Sequence, residues 1–415
     1  MTAQVAITGI GAVSPNGVGR EVFWRNCLEG VSGVRNISRF NTDGFMVKIA
    51  GEVNDLNLEE WVEPRDRPHV PRAVPLARAA VAEALIDAGL EPAKMNRDEL
   101  REIGVSCGSG GAAQEFSEEQ YRLWYEGKVK QCSVYVIPSS TPGTMASEIS
   151  MHFGFRGYSH LISNGCTSST DAIGYAYRAI KHGVMDTMIA GGTDAPIAPL
   201  IVRGFQFMRI MTQRWNEAPH KGSRPFSKDR DGFVLSEGAW FFVLENEEKA
   251  RARGAKIYGR IEGYGATCEA FHRVRLEESG EEPARAMHLA LKEAGLETKQ
   301  VDYIQYHGTS TELNDRIETK AVQIAFGDHA EKLPGSSVKS IIGHPQGACG
   351  AAGMATVLLA MRDGKVHPTI NLDEQAPECP LDYIANTARP LQIEHAVANC
   401  IAFGSKNSAL VLGRA

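Results

Sequence analysis

The chain has 415 residues, 43% apolar and 23% charged, which is the composition of an ordinary folded protein with length for two units or one large duplicated unit. Its net charge of −6 leaves no basic excess to neutralise phosphates, which argues against general nucleic-acid binding. No apolar run reaches membrane-spanning length, and Met1-Thr2-Ala3-Gln4 leads into a strand with no signal-peptide layout, so a reducing cytoplasm is the expected home.

Val5–Val13 reads as a buried strand that ends in the turn cluster Ser14-Pro15-Asn16-Gly17. Glu21–Glu29 carries an apolar stripe and is an expected helix, residues 36–72 are irregular, and Pro75–Ala88 is a helix closed by Gly89. Glu102–Cys107 is a strand that runs into Gly108-Ser-Gly-Gly111. Residues 114–135 form a charged helical excursion and Thr141–Phe153 is helical. Tyr158–Ile162 is β-like, followed by Ser163-Asn164-Gly165, Cys166 and a small-residue helix that stops at Lys181-His182-Gly183. Asp186–Gly192 is another buried strand, and residues 196–235 are a long connection of the kind that is usually functional. Ala239–Leu244 returns to strand, and Glu245–Arg253 reads as a surface helix.

The second half repeats the first. Lys256–Gly265 resembles the opening strand, Glu282–Ala294 is a helix closed by Gly295, and Val301–Tyr306 matches the strand at Glu102. Val338–Asp363 again places a strand before a reactive-looking turn, Gly343-His344-Pro345, and a small-residue helix. Asn399–Gly404 mirrors Asp186–Gly192. An internal duplication of α/β units is the consequence, with a boundary near residue 250 and two halves, 1–250 and 251–415, that meet at one site.

Cys166 stands where a helix begins, and the unpaired N–H groups and positive dipole end there favour a nucleophilic thiolate. The other seven cysteines are scattered without CxxC spacing, so neither a common zinc motif nor a disulfide framework is expected. Taken alone, a free cysteine is more often buried and inert. His307, at a strand end in His307-Gly-Thr-Ser-Thr311, and His344, with Lys339 ahead of it, change the balance. Two imidazoles at such places can stabilise charge developing on a thioester oxygen.

Asn164-Gly-Cys-Thr-Ser-Ser169, His307–Thr311 and Lys339–His344 together resemble the Cys-His-His set of β-ketoacyl synthases, and the resemblance covers essentially the whole chain. Arg230-Asp-Gly-Phe-Val, Asn314–Thr319 and Pro377–Ile384 bring it nearest to the ketosynthase (alpha) subunit of bacterial type II polyketide synthases. The resemblance implies a thiolase-type, five-layered α-β-α-β-α fold from two duplicated halves. It implies that Cys166 accepts an acyl chain from the phosphopantetheine of an acyl carrier protein, with an oxyanion hole from the N–H groups of Cys166 and Phe403. His307 and His344 then hold the malonyl thioester through decarboxylative condensation, and a Lys339–Glu318 charge pair orients them. Thr309 and Thr311 line the malonyl site, Phe233 and Phe403 gate it, and Asn407 joins the substrate-binding set. Gly111 would leave room for a longer chain. Arg209, with Arg65, Arg67, Lys128 and Lys130, is the expected carrier-docking face. No bound cofactor or metal is implied. The implied partner is a chain-length-factor homologue, with a homodimer as the other arrangement, and the product is an aromatic or reduced polyene polyketide. A synthase II that elongates fatty acids is the alternative in the same family. A coenzyme A-dependent thiolase, with Cys400 as acid/base, is the more distant one.

Overall fold

The computed structural model describes residues 2–415. In the first half, strands Ser159–Ile162, Ile103–Gly108, Thr187–Asp194, Gly238–Asn246 and Val5–Ser14 lie side by side in that order. The second half repeats the arrangement with Gly335–Ser336, Tyr303–Gln305, His395–Ala402, Lys406–Gly413 and Gly259–Cys268. The pattern of two parallel pairings followed by two antiparallel ones is the same in both. The halves join where Val5–Ile7 pairs antiparallel with Gly259–Ile261. Strands Val5–Ser14, Thr187–Asp194, Gly238–Asn246 and His395–Ala402 are buried along nearly their whole length, which is why they read as continuous apolar runs and not as alternating ones.

Helices Ser168–Lys181 and Cys349–Asp363 pack on each other between the two halves, while Ala73–Ala88 and Glu281–Ala294 cover the outer faces. The result is the five-layered α-β-α-β-α fold. Duplication is written into the close approaches as well. A Cβ on Gly9 or Gly11 would lie 2.1 or 1.8 Å from the Ala84 or Ala80 carbonyl of the first outer helix, and one on Gly263 or Gly265 would lie 2.0 or 2.1 Å from the Ala290 or Ala286 carbonyl of the second. The central helices meet as tightly, because the Ala351 N–H donates to Ser169 Oγ at 2.9 Å.

Some elements differ from the sequence-based expectation. The segment ahead of His344 is a short helix, Lys339–Ile342, and only Gly335–Ser336 is strand. Val338, Ile341 and Ile342 are all buried, and so short an apolar run satisfies either period. The 196–235 connection contains a helix, Pro199–Phe207, opened by its proline. The helix expected over Thr141–Phe153 begins at Thr144, after Pro142-Gly143, and a separate short helix, Val136–Ser140, precedes it. Among the described residues, no helix is long and apolar enough to cross a membrane.

Candidate active site

Cys166 is the middle residue of a 3-10 turn, Gly165–Thr167, that feeds the Ser168–Lys181 helix. Gly165 sits at φ 69°, a region glycine enters without steric cost. Ser168 Oγ closes the turn, donating to the Gly165 carbonyl at 2.6 Å and accepting from the Asn164 N–H at 2.8 Å. The sulfur is buried and lies 3.2 Å from His344 Nε2.

His344 is held by the long connection that precedes the second half. Its N–H donates to the Val234 carbonyl at 2.7 Å, and its own carbonyl accepts from the Ser236 N–H at 3.0 Å. The imidazole stands edge-on to Phe233 at 5.4 Å and to the His307 ring at 5.4 Å. Its Nδ1 has no hydrogen-bond partner. His307 is fixed on both sides: Lys339 Nζ donates to its carbonyl at 2.6 Å and lies 3.3 Å from its Nδ1. That contact gives Nδ1 the acceptor role and leaves the proton on Nε2.

The expected Lys339–Glu318 charge pair does not form. Glu318 instead receives the N–H groups of His307 at 2.6 Å and Gly308 at 2.7 Å, and the Asn399 amide at 2.7 Å. With its carboxylate filled by these donors, it anchors the His307 backbone from the side opposite Lys339. The quoted motif echoes also converge here. Arg230 lies 3.6 Å from Asp315, whose carboxylate takes the Thr309 N–H at 3.0 Å, and Thr319 Oγ1 meets the Tyr383 hydroxyl at 2.7 Å.

Burial dominates the electrostatics. It pushes the Cys166 thiol up, with Cys349 adding to the effect, while Lys339 and the Phe403 N–H that bonds the sulfur oppose it. Burial thus works against the thiolate that the helix terminus favours. Desolvation, then Lys339, pulls His307 down to about 3, and desolvation also lowers His344. Burial raises Glu318 to about 7 against its three donors.

Cys166, His307, His344, Thr309, Thr311, Phe233 and Phe403 line one pocket, joined by Leu276, Asn314, Gln346, Ile401 and Ala402. Gln346 and Asn314 lie inside or beside the motifs read from the sequence, whereas Leu276 belongs to a stretch with no pattern. Gly111 and Asn407 are not among the lining residues: the Gly111 N–H bonds Asp194 at 3.1 Å, and the Asn407 amide reaches Glu269 at 3.5 Å. Cys400 lies behind the nucleophile, donating to the Cys166 carbonyl at 3.2 Å, and does not face the pocket as a thiolase acid/base would. Of the docking candidates, Arg65 pairs with Glu63 at 3.0 Å, Arg67 with Glu59 at 3.5 Å and Lys128 with Glu126 at 2.7 Å, while Arg209 and Lys130 are exposed and have no ion pair among the described residues. Asp194, absent from the sequence reading, ties the halves together. It accepts from the Ser109 hydroxyl at 2.6 Å and from the Gly110 and Gly347 N–H groups at 2.7 Å each.

A buried thiol faced by two neutral imidazoles across the seam of a duplicated thiolase-type fold defines a thiol-dependent acyltransferase. The family profile for the β-ketoacyl synthase N-terminal domain matches residues 2–250, and the one for its C-terminal domain matches 258–373. The chain belongs to the β-ketoacyl synthase family, and its activity is that of a β-ketoacyl-[acyl-carrier-protein] synthase. It is 37% identical over 408 residues to the 3-oxoacyl-[acyl-carrier-protein] synthase 2 of Staphylococcus aureus (strain COL), covering 98% of this chain and 97% of that one. It is 39% identical over 419 residues to the enzyme of the same name from Rhizobium meliloti (strain 1021), covering 99% of each. Solved structures match over the full length of both chains, two of them ketosynthases of named systems. One is AntDE:AntF, a type II PKS acyl-carrier protein in complex with its ketosynthase bound to the hexaketide (TM-score 0.91, 31% identity). The other is the ishigamide ketosynthase/chain length factor (TM-score 0.92, 30% identity).

Proposed function

We propose that this chain is the condensing ketosynthase (alpha) subunit of a type II polyketide system, working on chains carried by the phosphopantetheine of an acyl carrier protein. Residues 1–250 supply the nucleophile and residues 251–415 the imidazoles. The observation that carries the reading is the 3.2 Å approach of Cys166 Sγ to His344 Nε2 with the His307 ring beside it.

In the first stage the Cys166 thiol gives its proton to His344 and attacks the carrier thioester. The N–H groups of Cys166 and Phe403 receive the oxyanion, and the carrier thiol leaves with the proton. In the second stage the malonyl thioester carbonyl accepts hydrogen bonds from His307 and His344. The bond to the carboxylate breaks, carbon dioxide departs, and its electron pair becomes the enolate. The enolate carbon attacks the acyl-Cys166 carbonyl, and the Cys166 sulfur leaves as a thiolate that takes up one proton from solvent. His344 must accept in one stage and donate in the other. The lack of any partner at its Nδ1 supports this, because nothing in the fold fixes its tautomer. His307 only donates, in keeping with the Lys339 contact at its Nδ1.

A homologous chain-length factor is the proposed partner. Strand Ser159–Ile162 has a neighbour on one side only, and the excursion before it exposes Trp124, Tyr125, Val134 and Ile137. Arg209 is the favoured carrier contact, because neighbouring carboxylates already neutralise Arg65 and Lys128. Neither Gly111 nor Asn407 takes part in the reacting pocket in this reading. The eight free cysteines fit a reducing cytoplasm. The second reading, a synthase II in fatty-acid elongation, is favoured by the curated relatives.

The test is mass analysis of the carrier-bound product after incubation with acyl and malonyl carrier proteins, with and without the candidate partner. Repeated unreduced additions that require the partner are expected. Single condensations by the chain alone, unaffected by the partner, would favour the second reading.

A further inference from the structure

Cys166, Cys349 and Cys400 form a buried cluster, yet only Cys166 faces the substrate pocket. Cys349 Sγ lies 3.7 Å from Cys400 Sγ, and His307 Nδ1 completes a triangle at 3.5 Å from Cys400 and 4.0 Å from Cys349. A tetrahedral zinc ion with Zn–S near 2.3 Å and Zn–N near 2.0–2.1 Å sets an S···S edge of about 3.8 Å and an S···N edge of about 3.6 Å. The 3.7 and 3.5 Å edges match that face closely, and the 4.0 Å edge from Cys349 to His307 is about 0.4 Å longer than it. The Cys166 carbonyl, 3.3 and 3.2 Å from the two sulfurs, stands over the triangle as an oxygen donor. Cys349 and Cys400, though not His307, line a small cavity behind the triangle with Thr170, Tyr306 and Asn399, whose Oγ1, hydroxyl and Oδ1 are buried without hydrogen-bond partners among the described residues.

We propose that Cys349, Cys400 and His307 Nδ1 form a site for one soft, thiophilic divalent ion of the zinc class, set directly behind the reacting histidine. Two thiols and an imidazole select such an ion over magnesium or calcium, which prefer oxygen ligands. Binding breaks two S–H bonds, forms two metal–sulfur bonds and sends two protons to solvent, with no change of oxidation state. The ion and two thiolates are together neutral, so Lys339 at 3.3 Å from His307 Nδ1 meets no added net charge. Lys339 gives up its contact with Nδ1 and keeps its bond to the His307 carbonyl. Held through Nδ1, the ring still presents Nε2–H to the pocket. The thiols are far apart in sequence and outside any metal motif, so only the fold brings them together.

The test uses the full chain with Cys166 carboxamidomethylated, so that the front pair of Cys166 and His344 cannot chelate. Its readout is binding and not turnover, so the outcome is independent of the ketosynthase reading. Titration with Co2+ is expected to give one equivalent per chain with a thiolate-to-cobalt band in the near ultraviolet. Release of two protons and displacement by Zn2+ are expected to accompany it. Cys349→Ser and Cys400→Ser should each weaken binding by roughly tenfold or more, and His344→Ala should leave it intact. X-ray absorption of the zinc-loaded, unmutated chain keeps the test valid if a variant misfolds. A shell of two sulfurs and at least one nitrogen is expected. Absence of the thiolate band, a band insensitive to both serine variants, or a shell of oxygen and nitrogen alone would overturn the site.

Discussion

The Cys166 turn and the His344 turn occupy equivalent places in the two halves. Each has a residue with positive φ (Gly165 at 69°, Gln346 at 45°), a three-residue 3-10 turn and a small-residue helix behind it. The reactive side chain nevertheless sits in different registers. Cys166 is the middle residue of its 3-10 turn, whereas the middle residue of the other is Gly347, and His344 lies three positions earlier. A Cβ at Gly347 would lie 2.1 Å from the Gly110 nitrogen. The Ser109–Gly110 turn of the first half, clamped by Asp194, fills the space where the second half would carry its own side chain. One scaffold thus holds a nucleophile in one copy and moves the acid/base group upstream in the other.

The largest effects should separate the two turns. Cys166→Ala is expected to abolish acyl-enzyme formation and lower condensation by about a thousandfold or more, while malonyl-carrier decarboxylation persists because His307 and His344 remain. His307→Ala should invert the pattern: acylation survives and decarboxylation falls by about a hundredfold or more. Parallel assays of the two partial reactions decide it, and equal loss of both in each variant would break the comparison.

Next comes the clamp. Asp194→Ala strands the buried Gly347 N–H and Ser109 hydroxyl and the part-buried Gly110 and Gly111 N–H groups. It should cost about 3 kcal/mol or more in denaturant unfolding, with Asp194→Asn losing less. Gly347→Ala should cost about 1–3 kcal/mol and lower activity by displacing the His344 turn. Unchanged stability in Gly347→Ala would mean the two turns are not sterically interlocked.

The smallest effect is on pH dependence. The fully buried neutral histidines 307, 344 and 367 all belong to the second half, with His307 drawn down to about 3 and His367 to about 4, each first by desolvation. A depressed histidine contributes stability that is present above its unfolded value of 6.5 and is lost as pH falls toward the folded value. Asp194 and Glu318, raised to about 6 and about 7 by burial, act in the opposite sense. The sign is therefore read from the difference between a variant and its parent. His367→Gln should lose less stability than the parent between pH 6.5 and pH 4.5, by up to about 1.4 kcal/mol per pH unit. Urea unfolding at several pH values measures it.

The duplication was legible because strand, turn and small-residue helix recur in order, and Cys166, His307 and His344 each stand at a chain reversal beside glycine or proline. What escaped depends on contacts between distant segments. The family resemblance implied that Lys339 and Glu318 pair, but the backbone N–H groups that fill Glu318 carry no side-chain signature. The helix terminus argued for a thiolate, yet depth of burial, which sequence does not express, opposes it at Cys166. Asp194 receives donors from residues 109–111 and 347, so its role emerges only once both halves are assembled. Gly111 and Asn407 came from resemblance alone, and both fall outside the pocket.

The convergence of one thiol with two imidazoles is tested most directly by single-turnover intact-mass analysis of the His307→Ala chain. It is incubated first with acyl carrier protein and then with malonyl carrier protein. The account predicts an acyl adduct on Cys166 that forms normally and persists after the malonyl carrier is added. An adduct on another residue, or one cleared at the parent rate, would contradict it.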